Sequence, residues 1–544
     1  MSVSARHSIG IDFGTGSGRV LLLDLDSGVQ STPYVVPYRS GVIDRALPGT
    51  NEPLPADWAL QDPDDWTRVV LEGVPEAVRR AGVDPAAVVG LGVDFTSCTV
   101  LPVAADARPL CNHDSWRAHR HAWPKLWKHH AAQPVADRIN AVAAERGEAF
   151  LERYGGRISS EWYFPKLIEV WLEDRAVYEA TDGFFEATDW IVSWLTGVQL
   201  RQTCTAGYKA LWSPDEGFPS EEYFEAAFPG FSHPTEKLGA EFVPLGTAAG
   251  RLLPELAQRL GLTESVTVAV GNVDSFVSVP GAGVSEPGTF VMVIGTSICD
   301  MVVHDDEIRF PGITGVVRDG ILPGLYGYEA GQAAVGDMLA WFVSALAGGA
   351  SYEELETAAA EIEPGGTGLL AFDWWNGNRT ILADADLSGV LLGLTIQSSA
   401  PDIYRALLES IAFGNRLIMD NFEQHGMPLS RIVACGGIAE RSPLTMQLLA
   451  DISGRVVSVP AAAAIPARGA ALFGAVAAGA FPDIGAAVEA TRQPIAHTYE
   501  PDARVVQTYE RVYAIYRELY ETLGRSHAEW LHGLKRIRAE VLAL

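Results

Sequence analysis

The sequence predicts an α/β protein of two domains or more, and three observations support this prediction. Its 544 residues are more than one compact core usually holds, and 48% of them are hydrophobic. Short apolar runs typical of strands alternate with helical patterns along the chain. A strand–turn–strand motif occurs twice, about one domain apart, which indicates two related domains that each begin their sheet with a hairpin.

The first copy of this motif lies near the start of the chain, where residues 9–13 and 20–25 are short apolar runs. They are too short and too rich in β-branched residues for helices, so they predict a hairpin. Glycines in its tip let backbone N–H groups converge on a phosphate, and Asp12, just before the tip, can hold hydrated Mg²⁺. Taken alone, such a tip is more often a plain tight turn. The tip consists of Gly14, Thr15, Gly16, Ser17, Gly18 and Arg19.

The second copy lies much later, where residues 290–294 and 298–303 flank a second small-residue tip. Two such tips, one in each domain, could bind one polyphosphate from both sides. The sequence has no G-x-x-x-x-G-K-[ST] motif, and the glycines near its start lack the Rossmann spacing, so a P-loop and a dinucleotide fold are excluded. The second tip consists of Gly295, Thr296 and Ser297.

Between the hairpins, residues 88–95 and 99–103 are strand-like, and residues 113–212 form a long polar and aromatic section. We interpret this section as a mostly helical insertion. Residues 113–130 within it contain three tryptophans and five histidines. Zinc is one hypothesis, but the histidines are poorly spaced as ligands and no cysteine supports them. Indole rings beside basic and polar groups suit a sugar better.

A carboxylate, Asp274, follows the strand-like residues 266–270 and precedes a predicted helix. Asp274 could cap that helix, or its carboxylate could accept a proton from an attacking hydroxyl. Ligands of α/β proteins bind at the carboxyl ends of strands. We expect the chain to pass from the first domain to the second around residues 275–290, so Asp274 lies beside the interdomain crevice. This position favours the role of a base.

The last part of the chain carries one candidate nucleotide contact and two packing patterns. Residues 431–435 predict a strand that ends at Gly436 and Gly437. These glycines could lie flat against an adenine or a ribose, or form an ordinary strand-to-helix turn. The alanine-rich residues 461–480 are interpreted as a closely packed helix. Helical spacing near the C-terminus predicts a packing stripe formed by Tyr509, Tyr513, Tyr516 and Tyr520.

The charge and the cysteines exclude several classes of partner and location. The chain has 40 Lys and Arg against 68 Asp and Glu, a formal charge of −28, so general affinity for nucleic acid or anionic membranes is not expected. The five cysteines are scattered and odd in number, which predicts reduced thiols. The sequence shows no apolar signal core at its start and no uncharged run long enough for a membrane span, so we expect a cytoplasmic protein.

Taken together, these motifs resemble those of the FGGY family of carbohydrate kinases, from about residue 8 to about residue 480. The phosphate motifs, which lie in IDFGTGSGR and MVIGTSICDMVV, are shared by all FGGY kinases. The segments GNVDSFVSVPGAG and CGGIAERSPLTMQLLADISG also occur in the family's order. Other segments are similar to the branch of the family that acts on L-ribulose, namely KLWKHHAAQ, CTAGYK and GYEAGQAAVGD. The segments GVDFTSCTVLP and DWWNGNR also occur in the family's order.

The resemblance implies a two-domain actin/Hsp70-like fold with a ribonuclease H-like core in each domain and a cleft between them. We expect an N-terminal domain at residues 1–280, a C-terminal domain at 281–500 and a helical extension at 501–544. The implied reaction is transfer of the ATP γ-phosphate to the C5 hydroxyl of L-ribulose, in L-arabinose catabolism, with ATP and Mg²⁺ as cofactors. The expected partners are a ketopentose and ATP, with no nucleic acid and no membrane, and a homodimer is left open.

The family's site residues map onto this sequence by motif position. Asp274 matches the catalytic base, and Asp12 and Asp274 match the carboxylates associated with the metal. The first phosphate loop matches Gly14, Thr15, Gly16, Ser17 and Arg19, and the second matches Gly295, Thr296 and Ser297. Gly436 and Gly437 match the nucleoside-binding pair. The sugar contacts of similar kinases fall at or near Trp127, Lys209, Asp274, Glu329 and Gln332.

One departure and three alternative functions accompany this resemblance. Many relatives have Asn before the Ser/Pro helix start, where this chain has Glu440 and Arg441, so one adenine-side contact is expected to differ. A sister FGGY kinase acting on D-ribulose, D-xylulose or a polyol is the first alternative. An actin- or Hsp70-like ATPase that signals to a protein partner and a non-catalytic sugar sensor are the others. ADP release that depends on a sugar distinguishes a kinase from the latter two.

Overall fold

The computed structural model describes residues 6–50, 52–239 and 241–542, and its strands divide between the two halves of the chain. The strands of the first half are β1 (His7–Phe13), β2 (Ser17–Asp24), β3 (Tyr34–Pro37), β4 (Val88–Phe95), β5 (Val100–Val103), β6 (Gly183–Glu186), β7 (Arg201–Gln202), β8 (Phe242–Val243), β9 (Ala248–Arg251), β10 (Thr267–Ala269) and β11 (Asn272–Val273). Those of the second half are β12 (Thr289–Ile294), β13 (Ile298–His304), β14 (Gly315–Arg318), β15 (Tyr326–Gln332), β16 (Leu370–Phe372), β17 (Val390–Leu392), β18 (Arg431–Cys435), β19 (Val457–Pro460) and β20 (Ile495–Tyr499).

The α-helices alternate with these strands. The first ten are α1 (Pro63–Arg68), α2 (Val74–Ala81), α3 (Gln133–Arg146), α4 (Tyr163–Glu173), α5 (Arg175–Ala180), α6 (Ala187–Thr196), α7 (Thr203–Lys209), α8 (Glu221–Ala227), α9 (Pro254–Leu260) and α10 (Asp274–Gly281). The others are α11 (Gly336–Ala345), α12 (Tyr352–Ala360), α13 (Ala400–Gln424), α14 (Gly437–Arg441), α15 (Pro443–Ser453), α16 (Ile465–Ala477), α17 (Ile484–Ala490), α18 (Ala503–Glu521) and α19 (Ala528–Leu542).

Two large sheets share one topology. The first has the order β3–β2–β1–β4–β10–β9, with β11 beside the end of β4, and the second has the order β14–β15–β13–β12–β18–β19–β20. From β3 to β9 the neighbouring pairs are antiparallel, antiparallel, parallel, parallel and antiparallel. The pairs from β15 to β20 repeat this series. The repeat confirms the predicted α/β fold with two related halves.

Both predicted hairpins are present at equivalent places in the two sheets. β1 pairs with β2 and β12 pairs with β13, in each case antiparallel. On their other sides β1 and β12 run parallel to β4 and β18. Each hairpin tip therefore follows the carboxyl end of a central strand, which is the edge where α/β sheets bind ligands.

A helix from the second half of the chain packs on the first sheet. α16 lies against β1, β4 and α10, and one apolar core contains residues of α10, α16 and the second sheet. A methyl carbon added at Gly10 would lie 1.7 Å from the Ala467 carbonyl oxygen, and one added at Gly92 would lie 1.9 Å from that of Ala470. The prediction of a closely packed helix within residues 461–480 is confirmed. The same contact links the two halves of the molecule.

The remaining sequence patterns also have structural counterparts. The predicted insertion at residues 113–212 contains α3 to α7 and much of a separate apolar core. In α18 the four tyrosines of the predicted stripe are buried, and Tyr516 packs on Phe413 of α13 and Phe372 of β16. The stripe is therefore a packing surface.

In the described part of the chain, no helix combines the length and the apolar character needed to cross a membrane.

Candidate active site

The first hairpin tip is a compact turn with an exposed end. The backbone N–H of Gly14 donates to the Ser17 carbonyl oxygen at 3.0 Å and so closes the turn. Gly16 is exposed at its end, while Gly14 and Ser17 are partly exposed. Gln61 donates through Nε2 to the Thr15 carbonyl oxygen at 2.9 Å. The tip is thus fixed in position while its end stays exposed.

Two side-chain contacts connect this tip with other predicted site residues. Arg19 donates through Nη1 to Oδ2 of Asp12 at 2.8 Å, and the Asp12 side chain is almost fully buried. The indole N–H of Trp127 donates to the Thr15 hydroxyl at 3.1 Å. The structure therefore brings a predicted sugar-binding residue into direct contact with the first phosphate loop. That contact was not predicted from the sequence.

A second buried carboxylate, Asp94, lies beside Asp12 and was missed in the sequence. The two residues are register partners in the parallel strands β1 and β4, and the next residues, Phe13 and Phe95, stack with ring centroids 4.5 Å apart. In the described part of the chain, no donor reaches either carboxylate oxygen of Asp94. Burial, and then the charges of Asp12 and Asp274, raise the pKa of Asp94 well above its usual value. The sequence did carry a signal, because both strands end in Asp-Phe.

Asp274 is the first residue of α10 and directly follows β11, which pairs with the end of β4. Its carboxylate accepts a 2.7 Å hydrogen bond from the backbone N–H of Ser275, so the side chain also binds a backbone donor at the start of the helix. Burial, and then the charge of Asp12, raise the pKa of Asp274 to about 7. The charges of Arg19 and Glu329 also act on it, so both halves of the chain contribute to its environment. A carboxyl group that titrates near neutrality at a strand end is suited to accept a proton.

An ion pair between the two halves joins two of the predicted sugar-binding residues. Lys209, at the end of α7, donates through Nζ to Oε2 of Glu329 in β15 at 2.6 Å, and both side chains are buried. The ammonium also lies 5.4 Å from the ring centroid of Trp162. Burial opposes the charge of Lys209, but the Glu329 carboxylate raises its pKa, so the ammonium is retained.

Gln332 lies further along β15, and its side-chain amide forms hydrogen bonds within the second half of the chain. Its Nε2 donates to the Ile411 carbonyl oxygen at 3.1 Å, and its Oε1 accepts from Nδ2 of Asn415 at 2.7 Å. Both partners belong to α13. The structure therefore does not bring this amide together with Lys209 and Glu329, and a direct sugar contact by Gln332 stays a prediction.

The second hairpin tip has the same build as the first. The N–H of Gly295 donates to the Ser297 carbonyl oxygen at 2.9 Å, and the Thr296 carbonyl oxygen accepts from the N–H of Val335 at 3.0 Å. Gly295 and Thr296 are exposed. Over the described residues, the hydroxyls of Thr296 and Ser297 have no hydrogen-bond partner, so both remain available to a ligand.

The predicted nucleoside pair lies beside this second tip. Gly436 has φ +94°, and a methyl carbon added there would lie 2.6 Å from the Ile294 carbonyl oxygen, so only glycine fits. Gly437 begins α14. A methyl carbon added to Gly437 would lie 2.5 Å from Nη2 of Arg441, which places that guanidinium over the glycine. Arg441, one of the two residues at which this chain differs from many relatives, therefore lies next to Gly437 at the candidate adenine surface.

The carboxylates around the first tip match the way proteins hold Mg²⁺ near nucleotides. Across residues 6–50, 52–239 and 241–542, no group of three His, Cys, Asp or Glu side chains is arranged to enclose a metal ion. Mg²⁺ usually keeps several waters and takes one or two carboxylates together with substrate phosphates. Asp12 and Asp274 supply such carboxylates, and the orphaned oxygens of Asp94 lie beside them. The residues present thus fit this ion.

Family profiles match both halves of the chain. The N-terminal domain of the FGGY family of carbohydrate kinases matches residues 7–281, and the C-terminal domain of the same family matches residues 290–478. Solved structures with the same fold include a xylulose kinase from Rhodospirillum rubrum, with a TM-score of 0.79 and 23% identity over 97% of this chain and 100% of that one. A glycerol kinase from Plasmodium falciparum, solved with ADP, has a TM-score of 0.77 and 14% identity over 96% and 99% of the two chains.

Curated relatives match the chain over nearly its whole length. A ribulokinase from Halalkalibacterium halodurans is 46% identical and covers 99% of this chain and 98% of its own. A ribulokinase from Mycolicibacterium smegmatis is 43% identical and covers 96% and 95%. The chain therefore belongs to the FGGY family of carbohydrate kinases, which are phosphotransferases that act on sugars.

Proposed function

We propose that the protein transfers the γ-phosphoryl group of ATP to the C5 hydroxyl of L-ribulose and releases L-ribulose 5-phosphate and ADP. The observation that carries this proposal is the position of Asp274. It is a partly buried carboxyl at the start of α10. Burial, and then the charge of Asp12, raise its pKa to about 7, and the charges of Arg19 and Glu329 also act on it. In this position Asp274 would accept the C5 hydroxyl proton as the oxygen approaches the γ-phosphorus.

The two hairpin tips would bind the phosphates of ATP from opposite sides. Their backbone N–H groups, the guanidinium of Arg19 and the free hydroxyls of Thr296 and Ser297 are donors suited to phosphate oxygens. Asp12 and Asp274 would hold Mg²⁺ through water, and the ion when bound neutralises charge on the phosphate oxygens. Gly436 and Gly437 would lie against the nucleoside. Positioning and charge neutralisation supply most of the rate enhancement in such a transfer.

The sugar would bind between the Lys209–Glu329 pair and Trp127. A buried ammonium and a buried carboxylate offer donors and acceptors to neighbouring hydroxyls, and an indole ring suits the C–H face of a sugar. Relatives that are 46% and 43% identical to this chain are named ribulokinase, which supports ribulose as the substrate. We assign the reaction to L-arabinose catabolism. Because the reaction consumes ATP, we place the enzyme in the cytoplasm.

An assay of ADP release tests this function with a panel of ketopentoses, aldoses and polyols. We expect the highest kcat/KM with L-ribulose, and phosphate on C5 of the product as read by ³¹P NMR. A preference for D-ribulose, D-xylulose or a polyol would replace the proposed substrate by that of a sister kinase. ADP release that no sugar accelerates would remove the kinase reaction itself.

A further inference from the structure

Two buried charged side chains of α4 contact the segment that carries Trp127. Lys166 and Glu169 are three residues apart, so they lie on the same face of this helix. Lys166 is 0% exposed and Glu169 is 2% exposed. A buried charge is costly unless it is paired or hydrogen-bonded, so the partners of these two residues indicate what they hold in place.

Lys166 holds the backbone directly before Trp127. Its Nζ donates to the carbonyl oxygen of Leu126 at 2.8 Å and to that of Cys98 at 2.6 Å. The Leu126 carbonyl oxygen also accepts from the N–H of His129 at 2.9 Å, which closes a turn from Leu126 to His129 that we call the Trp127 turn. Because Cys98 follows β4, Lys166 ties this turn to the end of a central strand of the first sheet.

Glu169 holds the side chains on either side of Trp127. Its Oε2 accepts from Nζ of Lys125, two residues before the tryptophan, and from Nε2 of His129, two residues after it, the latter at 2.9 Å. Nδ1 of His129 accepts from the N–H of Ala59 at 3.4 Å, so the ring proton lies on Nε2. Burial, and then the charge of Lys125, lower the pKa of His129 to about 3, so the ring is neutral.

The segment that includes this turn reaches the first phosphate tip by two routes. The indole N–H of Trp127 donates to the Thr15 hydroxyl at 3.1 Å. The Pro124 carbonyl oxygen accepts from the N–H of Gln61 at 3.1 Å, and Nε2 of Gln61 donates to the Thr15 carbonyl oxygen at 2.9 Å. A shift of the turn away from the tip by about 1 Å would take the indole out of hydrogen-bond range of the hydroxyl.

Building on the proposed function, we propose that Lys166 and Glu169 are positioning residues for ATP, which act by holding the Trp127 turn against the first phosphate tip. The indole N–H only donates, so the Thr15 hydroxyl must accept from it. The hydroxyl hydrogen is then left to donate to a phosphate oxygen. Holding a donor in this orientation before ATP binds lowers the cost of binding.

A double-mutant cycle tests this proposal on the full chain. ADP release is measured with ATP varied for the wild type, Glu169→Gln, Trp127→Phe and the double variant. Glu169→Gln removes the charge that pairs with Lys125. It should raise KM for ATP at least ~2-fold, and no more than Trp127→Phe does, as expected for one weakened hydrogen bond. Its kcat should stay within about twofold of the wild type, because Asp274 and Arg19 are untouched.

The double variant distinguishes action through the indole from any other effect. Its KM for ATP should stay within about 1.5-fold of that of Trp127→Phe, because Glu169 then has no indole bond left to position. Rises in KM that multiply in the double variant would overturn the proposal. An unchanged KM for ATP in Glu169→Gln would overturn it as well.

Glu409 of α13 provides a matched control. One oxygen of this buried side chain, Oε1, accepts from Nε of Arg405 at 2.9 Å and from the Tyr509 hydroxyl at 2.6 Å, just as one oxygen of Glu169 accepts from two donors. Glu409→Gln should leave KM for ATP unchanged. A variant that is only less well folded loses apparent kcat and keeps its KM, so a raised KM separates positioning from a loss of folded protein.

Lys166→Met releases the turn from its other side and leaves the Glu169 carboxylate paired. It should show the same values of KM, and it replaces Glu169→Gln in the cycle if that variant does not fold. If neither variant folds and Glu409→Gln does, the two residues serve the fold of the first half and the proposal is overturned.

The cycle also remains informative if the proposed function fails. If another sugar of the panel is preferred to L-ribulose, that sugar is used in the same assay. If no sugar accelerates ADP release, the proposed function is wrong, and the Kd for ADP from isothermal titration calorimetry replaces KM for ATP. The same non-additive pattern is then expected in Kd, and multiplying effects would overturn the positioning role by itself.

Discussion

The Asp274 carboxyl is placed so that its ionisation favours activity and opposes stability. We expect Asp274→Asn to lower kcat at least ~10²-fold, because it removes a positioned base. The folded pKa of about 7 is raised above the ordinary value of 3.8. The group's contribution to stability is therefore present below about pH 4 and is lost as the pH rises through 7. Asp274→Asn avoids this loss, so it should be more stable than the wild type at pH 8, by at most about 4 kcal/mol.

Urea denaturation at pH 5 and pH 8, with kcat measured on the same samples, checks both effects. The stability gain of Asp274→Asn should be smaller at pH 5 than at pH 8, and wild-type activity should rise between these values. Asp305→Asn, at an exposed position after β13, is the matched control and should change neither quantity. Near-normal kcat in Asp274→Asn would remove this residue from the role of base.

Trp127 is expected to influence ATP as well as sugar, because its indole N–H donates to the Thr15 hydroxyl of the first phosphate tip. Trp127→Phe keeps an aromatic face and removes only that donor. We expect KM for ATP to rise about 2- to 10-fold, which corresponds to one hydrogen bond, together with a rise in KM for sugar. Steady-state kinetics with each substrate varied in turn measures both values.

A second tryptophan offers a matched control for this experiment. The indole of Trp123 donates to the Arg117 carbonyl oxygen at 3.0 Å, away from the tip, so Trp123→Phe loses a bond of the same kind. It should leave KM for ATP unchanged. A rise confined to the KM for sugar in Trp127→Phe would mean that the bond to Thr15 does not orient the phosphate loop.

The helix α16 packs so closely on the first sheet that no space is left between them for one more carbon atom. In Gly92→Ala the new methyl group would lie 1.9 Å from the backbone carbonyl oxygen of Ala470, and backbone on both sides cannot yield as a side chain can. We expect a loss of about 3 kcal/mol or more in the free energy of unfolding. Gly533→Ala in α19, where no atom lies within 4 Å of the added carbon, should be neutral or slightly stabilising. Equal denaturation midpoints for the two variants would contradict this account.

The elements that could be predicted from the sequence are those set by local patterns. The hairpin tips and the strand before Asp274 follow from apolar runs and glycines within a few residues of one another. The packing of α16 on β1 could not be predicted, because the helix lies more than 400 residues further along the chain and its alanines do not specify a partner. Asp94 was missed for a related reason, since it becomes a neighbour of Asp12 only through the parallel register of β1 and β4.

Residues from both halves of the molecule contribute to the candidate site. The Lys209–Glu329 pair joins residues from different halves, and charges from both halves act on Asp274. The shared core around α10 and α16 connects the same halves behind the cleft. A sugar that contacts both walls can thus stabilise a closed arrangement that ATP bound to the hairpin tips does not reach unaided.

This arrangement predicts slow ATP hydrolysis when no sugar is present. A water molecule at the Asp274 carboxylate can occupy the place of the C5 hydroxyl, but it cannot also contact Lys209, Glu329 and Trp127, so it gains no binding energy for closure. We expect ADP release without sugar to be below about 1% of the rate with saturating sugar, a difference of roughly 3 kcal/mol in activation free energy. The coupled assay measures both rates on one sample, and Asp274→Asn gives the background from contaminating ATPases. A sugar-free rate close to the sugar-dependent one, and lost in Asp274→Asn, would show that the phosphate tips and Asp274 are already aligned in the absence of sugar.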